Sequence, residues 1–197
     1  MNKRQVQKQQ TRNLILQQAK NCFISKGFLN TTTSEIAAEC GIAHGTLFLH
    51  FNNKEILIIE ILDQQLEIIS LKIIELIREA YDLKEMLNNY LDFIQREEDF
   101  FHTITRELPF YSDELRRKII FRESLIRKKF VKAIDEGIAR GNFITCDSVM
   151  AATFLFSTIS YYLSLKNIFV SEGSVIAKFK DKIILTFLSF LTRREDA

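Results

Sequence analysis

Apolar residues along this chain recur at intervals of three and four, the repeat of one helix face, and nowhere alternate for long enough to make a strand. Phe143-Ile144-Thr145 is too short to count as one. The spacing predicts a polar, mobile arm over residues 1–9. A first helix follows from about Gln10 to Lys26, burying Ile15, Ala19, Cys22 and Phe23 and ending at Gly27. Two short helices come next, then a long one over about 54–80. Its many isoleucines are poor helix formers, but their spacing overrides that weak preference. A helix over about 83–97 is continued, or followed by a short second one, at Phe100–Ile104. Pro109, the only proline, stops it. Ser112 or Asp113 caps a helix reaching Arg140, which Gly141-Asn142 ends. Asp147 or Ser148 caps another to about Lys166, and the last helix runs from about Ser174 to Arg193 with basic residues at its end.

The segment from Thr32 to Phe51 carries the most information. Thr32 and Glu35 form a T-x-x-E capping box, which starts a helix there. Ile36 and Ala37 face inward, with Cys40 on the same side. Gly41 follows the last helical residue, where a left-handed backbone suits glycine. Ile42 plugs the angle before a second helix beginning at Ala43 or His44, whose Leu47 and Phe51 point inward. Its outer face shows His44, Gly45, Thr46, Phe48 and His50, which are small, polar or aromatic. Two helices joined by a tight glycine turn are the geometry that enters a DNA major groove.

Arg12-x-x-Ile15-Leu16-x-x-Ala19-x-x-x-Phe23-x-x-x-Gly27-Phe28, Thr32 to Ala37, and Gly41 to Glu55 together resemble the DNA-binding domain of the TetR family of bacterial transcriptional regulators. The resemblance spans about residues 10–57. It implies that Ser34, His44, Gly45 and Phe48 meet base edges, and that Thr32, Thr33, Thr46, Leu49, His50 and Lys54 meet phosphate or sugar. Thr46, His50 and Lys54 can donate to phosphate oxygens, and Lys54 lies at a helix N-terminus that favours an anion. Three positions depart from the family pattern. Ala43 stands where a Ser or Thr cap is common, Phe48 replaces a tyrosine, and Leu49 replaces an aromatic residue.

Composition narrows the picture further. A chain of 197 residues, 47% hydrophobic, has enough apolar material for one large or two small cores. Six basic residues precede the first acidic one, Glu35, although net charge is only +2; a basic N-terminal segment on a mildly acidic body suits an end that approaches phosphates. Cys22, Cys40 and Cys146 are odd in number and far apart, which argues for reduced thiols rather than a disulfide framework or zinc site. No apolar segment follows the N-terminus as a signal peptide would, so the chain is read as cytoplasmic. His44 and His50 are too far apart on one helix to share a metal, and His102 is isolated. Glu97, Glu98 and Asp99 read as a solvated face. No phosphate-binding glycine loop or nucleophile arrangement appears, so the chain is read as a non-enzyme without metal or cofactor.

Seventeen phenylalanines suggest core packing and, among the middle helices, an apolar effector pocket of the kind the family commonly has. Candidate lining residues are Phe93, Phe100, Phe101, Phe110, Tyr111, Phe121, Phe130 and Phe156, with Arg106, Glu107, Arg122 or Glu123 as a polar anchor. From Ser148 to Leu165 there is no charge, and Ile183–Leu191 is apolar nearly all round. One helix on a globule needs only an apolar stripe, so the excess points to a homodimeric four-helix bundle. Its candidate residues are Phe154, Thr158, Tyr162, Phe179, Ile183, Phe187 and Leu191. The same run is short for a membrane span and rich in hydroxyls.

The expectation is an all-α chain: a helix-turn-helix DNA-binding domain over 1–53 and a helical regulatory and dimerisation domain over 54–197. Function follows as a homodimeric regulator on a pseudo-palindromic double-stranded operator, a repressor released by a small, largely apolar ligand. The competing reading is a helical carrier or enzyme whose N-terminus only resembles a DNA-binding module.

Overall fold

The computed structural model describes residues 3–192, and its regular elements are all helical. The chain divides into two compact units, residues 1–65 and 66–197.

In the first unit, α1 spans Lys3–Lys26, α2 Thr33–Glu39 and α3 His44–Phe48; α4, Lys54–Arg78, begins here and ends in the second unit. Residues 3–9, expected as a mobile arm, are the first turns of α1. They contain no Gly or Pro, and Lys, Arg and Gln are good helix formers, so the helix runs on past its last buried residue. Gln9 donates to Asn13 at 2.9 Å along that exposed face. Ile15, Ala19 and Phe23 of α1 pack with Ile36, Ala37, Leu47 and Phe51, all buried. Phe28 folds back onto Phe23 with ring centres 4.7 Å apart. The buried Thr31 hydroxyl donates to the Gly27 carbonyl at 2.8 Å and seals the α1–α2 loop.

The second unit continues with α5 (Leu83–Arg96), α6 (Glu98–Glu107), a 3₁₀ turn at Leu108–Phe110, α7 (Asp113–Ala139), α8 (Ser148–Ser164), α9 (Lys166–Phe169) and α10 (Val175–Leu191). Asp82, Ser112, Asp147 and Ser174 each accept the backbone N–H three residues on, satisfying donors that helix starts leave open. Arg193, where the last helix was expected to end, lies outside the described residues. At the centre, Phe130 and Phe156 pack against Tyr90 with ring centres 5.3–5.5 Å apart. Truncating one such buried ring costs about 3–5 kcal/mol.

Glu98 corrects an expectation. It is not on a solvated face but buried, and it accepts the Val175 N–H at 3.0 Å, the Ile176 N–H at 3.1 Å and the Ser174 hydroxyl. Lys166 lies 3.1 Å away. The start of α10, distant in sequence, recruits it as a second cap. Beside it, His102 Nδ1 lies 2.6 Å from the Leu163 carbonyl and so carries the proton, a structural histidine.

Candidate nucleic-acid interface and effector cavity

Local chemistry builds the first unit's exposed corner. Thr32 and Glu35 close the capping box in both directions: Glu35 N–H to Thr32 Oγ1 at 3.2 Å, and Thr32 N–H to Glu35 at 2.7 Å. The Thr32 N–H, then the Lys26 ammonium at 2.9 Å, hold the Glu35 carboxyl down at about 2. Gly41 takes φ +64°, and the Gly41 and Ile42 N–H groups bond back to Ala38 and Ala37 at 3.0 Å. This double closure turns the chain sharply into α3. Ala43 stands at the start of α3 without a side-chain cap, as read.

Three of the four residues expected to read bases come together. His44 Nε2 lies 2.9 Å from Thr33 Oγ1 and 3.5 Å from Ser34 Oγ, so α2 fixes the imidazole that α3 presents. The Phe48 ring meets His44 edge-on at 4.9 Å. Gly45, the fourth, is exposed, and a Cβ added there would meet nothing, so internal packing does not require the glycine. Leu49 is 76% exposed, Thr32 is exposed and Thr46 is half-buried. Lys54 donates to the Leu29 carbonyl at 3.2 Å. His50 is half-buried. Burial, then the charges of Lys8 and Arg12, push its pKa down. Its Nδ1 is buried without a partner among the described residues. Arg12 clamps this corner: both guanidinium arms reach Glu60 at 2.6 Å, and the group lies 4.3 Å over Phe51.

The second unit contains a cavity of about 80 Å³ framed by α4 to α8. Of the aromatic residues expected to line it, Phe101 and Phe156 do. Phe93, Phe100, Tyr111 and Phe130 are buried elsewhere in the core, whereas Phe110 and Phe121 are 71% and 58% exposed and stand on the surface. Most of the wall is aliphatic, with Ile69, Ile73, Ile119 and Ile126 from α4 and α7. Sequence reading passed over these because buried isoleucines at helical spacing look alike whether they fill a core or edge a void. Arg122 and Glu123 supply its charged groups beside the hydroxyls of Ser70, Thr105 and Ser160, and burial pushes the Glu123 carboxyl up against the opposing pull of Arg127. Arg106 and Glu107 pair with each other at 3.1 Å away from the cavity.

Helices α8 and α10 pack together and leave an open groove with Phe154, Thr158 and Tyr162 on one side. Phe179 stacks on Tyr162 at 4.3 Å. Ile183, Phe187 and Leu191 are buried in the chain's own core. Phe190, which the sequence reading passed over, is 70% exposed on the open side of α10. Among the described residues no helix is long and apolar enough to cross a membrane.

A capped helix, a left-handed glycine and a second helix with an exposed outer face define a helix-turn-helix module, here joined to a larger helical body. Comparison with known proteins agrees. Residues 15–61 match the model of bacterial regulatory proteins of the tetR family, and residues 81–163 match that of the Tetracyclin repressor-like C-terminal domain. This chain belongs to the TetR family of transcriptional regulators. It is similar to the uncharacterized HTH-type transcriptional regulator YerO of Bacillus subtilis, 47% identical over 45 residues, which are 23% of this chain and 16% of YerO. It is also similar to the HTH-type transcriptional repressor KstR2 of Mycolicibacterium smegmatis, 29% identical over 140 residues and 67% of both chains. The match thus spans about a sixth of YerO and two thirds of KstR2. Among solved structures, the fatty acid degradation regulator FadR from Bacillus halodurans shares the fold at TM-score 0.73 and 24% identity, over 93% of this chain and 97% of that one.

Proposed function

We propose that this regulator works as a homodimer that represses transcription from a pseudo-palindromic duplex and lets go when a small, largely apolar ligand fills the cavity of its second unit. The observation that carries the reading is the cluster of His44, Thr33, Ser34 and Phe48. Groups from two helices are held together on an exposed surface by contacts that contribute little to the core. Ser34, His44, Gly45 and Phe48 read base edges; Thr32, Thr33, Thr46, Leu49, His50 and Lys54 engage phosphate and sugar. Residues 1–53 form the DNA-reading part and residues 54–197 the regulatory part.

Pairing uses the open groove of α8 and α10, through Phe154, Thr158, Tyr162 and Phe190. Two recognition helices then enter successive major grooves about 34–36 Å apart. The effector binds among α4 to α8, with Phe101 and Phe156 in its wall and Arg122 or Glu123 as anchor. It favours a tilt of α4 that spaces the recognition helices wrongly for DNA, and the coupling is reciprocal. KstR2, named a repressor, supports repression as the direction of control. No chemistry on substrate is assigned to the chain.

An electrophoretic shift with DNA flanking its own gene, over a salt series, tests the reading. Affinity that falls steeply with salt and survives nonspecific competitor supports it. A chain that ignores every duplex at low salt overturns it and leaves a helical carrier or enzyme.

A further inference from the structure

A second opening lies in the same helical body, unassigned by anything above. It is a cleft of about 310 Å³ between the end of α4, the start of α5 and the C-terminal half of α7. Its floor is apolar, with Ile74 and Ile77 from α4 and Met86 from α5. Its rim is cationic. Arg78, Lys129, Lys132 and Arg140 face it with only Asp82 and Glu136 in opposition. Asp82 is engaged in capping α5, where it accepts the Glu85 N–H at 2.8 Å, and Glu136 lies between Lys132 at 3.7 Å and Arg140 at 3.4 Å. Gly137 allows the far wall to form: a Cβ there would sit 2.1 Å from the Phe143 ring, so only glycine lets Phe143 lie flat across α7.

The cleft lies beside the aliphatic cavity on three of the same helices, α4, α5 and α7, and the two share no lining residue. On α4, Ile73 lines the cavity, and Ile74 and Ile77 line the cleft. On α7 the corresponding residues are Ile126 and Lys129, and on α5 they are Tyr90 and Met86. From Ile73 to Ile77, from Ile126 to Lys129 and from Tyr90 to Met86 the step is about one helical turn, roughly 5 Å. From Ile119, inside the cavity, to Lys132, on the rim, α7 advances about 20 Å at 1.5 Å per residue. The cavity is mostly apolar and the cleft cationic at its rim, and Met86, one turn of α5 from the cavity-lining Tyr90, has a flexible thioether that can yield to a chain passing from one to the other.

We infer that the effector is an elongated amphiphile, with an apolar chain in the Ile-lined cavity and an anionic head, carboxylate or phosphate, on Arg78 and Lys129 in the cleft. This inference rests on the effector-cavity reading above and names its ligand class.

The test uses purified full-length protein and three probes of one chain length, each below its micellar concentration: dodecanoate, dodecyl phosphate and dodecanol. Isothermal titration at low salt should show at least one anionic probe binding about tenfold or more tighter than dodecanol, with the preference shrinking as salt rises. Which anion is tighter distinguishes a carboxylate head from a phosphate head. The double substitution Arg78→Ala/Lys129→Ala, at surface positions, should bring the anionic probes to dodecanol's affinity and leave dodecanol unchanged. Dodecanol binding as tightly as both anions, or a double variant that binds like the parent, overturns the inference and leaves the effector cavity standing. Failure of all three probes to bind overturns the effector cavity itself.

Discussion

Replacing Glu98 with alanine should destabilise the second unit severely, although Glu98 touches neither the nucleic-acid corner nor the cavity. Its carboxylate is the acceptor for the Val175 and Ile176 N–H groups, both buried at the start of α10. An orphaned buried donor costs about 1–3 kcal/mol. Two of them give about 3 kcal/mol or more, a large share of the roughly 5–15 kcal/mol that holds a domain folded. Lys166 is not orphaned, because it also reaches Asp99 at 2.7 Å. Chemical denaturation of Glu98→Ala should show the loss directly, and a thermal midpoint should fall by about 6–12 °C. Glu98→Gln, which keeps one carbonyl oxygen, should lie between. The pH dependence has a definite sign. Burial pushes the Glu98 carboxyl up, but the hydrogen bonds from Ser174, Ile176, Lys166 and Val175 outweigh it and leave the pKa lowered. A carboxyl lowered in the folded state contributes fully above its unfolded value, about 4.3, and that contribution is lost as pH falls through the lowered folded value. The gap between parent and Glu98→Ala should therefore narrow only in acid, below about pH 4. A variant within 1 kcal/mol of the parent at pH 7, by the same measurement, would refute the capping role.

Thr33→Val removes the hydroxyl that holds the His44 ring and meets the DNA backbone, so a selection from random duplexes should return an altered consensus together with a modest loss of affinity for all duplexes; an unchanged consensus removes His44, as Thr33 positions it, from base reading. Lys54→Ala should weaken binding to all duplexes alike and lower the slope of log affinity against log salt by about 1, and an unchanged slope would dismiss the phosphate contact. Phe190→Asp should give a folded monomer by light scattering, whereas Phe187→Asp, buried in its own chain, should cost the fold; a Phe190→Asp chain that stays dimeric would place the interface elsewhere.

The helix-turn-helix corner was legible residue by residue because everything that shapes it is local. The capping box spans four residues, the Gly41 closure six, and the Leu47–Phe51 pair one turn. What escaped the sequence reading depends on distant partners. Glu98 looked like one of three solvated acids because its donors lie more than seventy residues later. The N-terminal turns of α1 looked like an arm because they bury nothing, yet propensity alone extends a helix that packing has already nucleated. The cavity was expected among phenylalanines and lies mostly among isoleucines. Aromatic side chains can either fill a space or border one, and here Phe130 fills the centre, Tyr90 and Phe156 pack on it and also border the void, and aliphatic side chains of α4 and α7 make most of the remaining edge.

Helix α10 shows why phase is harder to read than period. An amphipathic helix announces its buried face because its other face is polar. In α10 the residues from Ile183 to Leu191 are apolar on nearly every side, so the sequence says that the helix is buried without saying against what. The structure separates the two demands. Ile183, Ile184, Phe187 and Leu191 turn into the chain's own core, while Leu185 and Phe190 turn out and are each more than half exposed. Retaining large apolar groups in water has no benefit to an isolated chain, and a single charged residue at position 190 would remove the liability. A second surface that covers Phe190 and Phe154 together explains their presence, and the groove they share with Thr158 and Thr186 supplies the small residues that let two such faces approach closely.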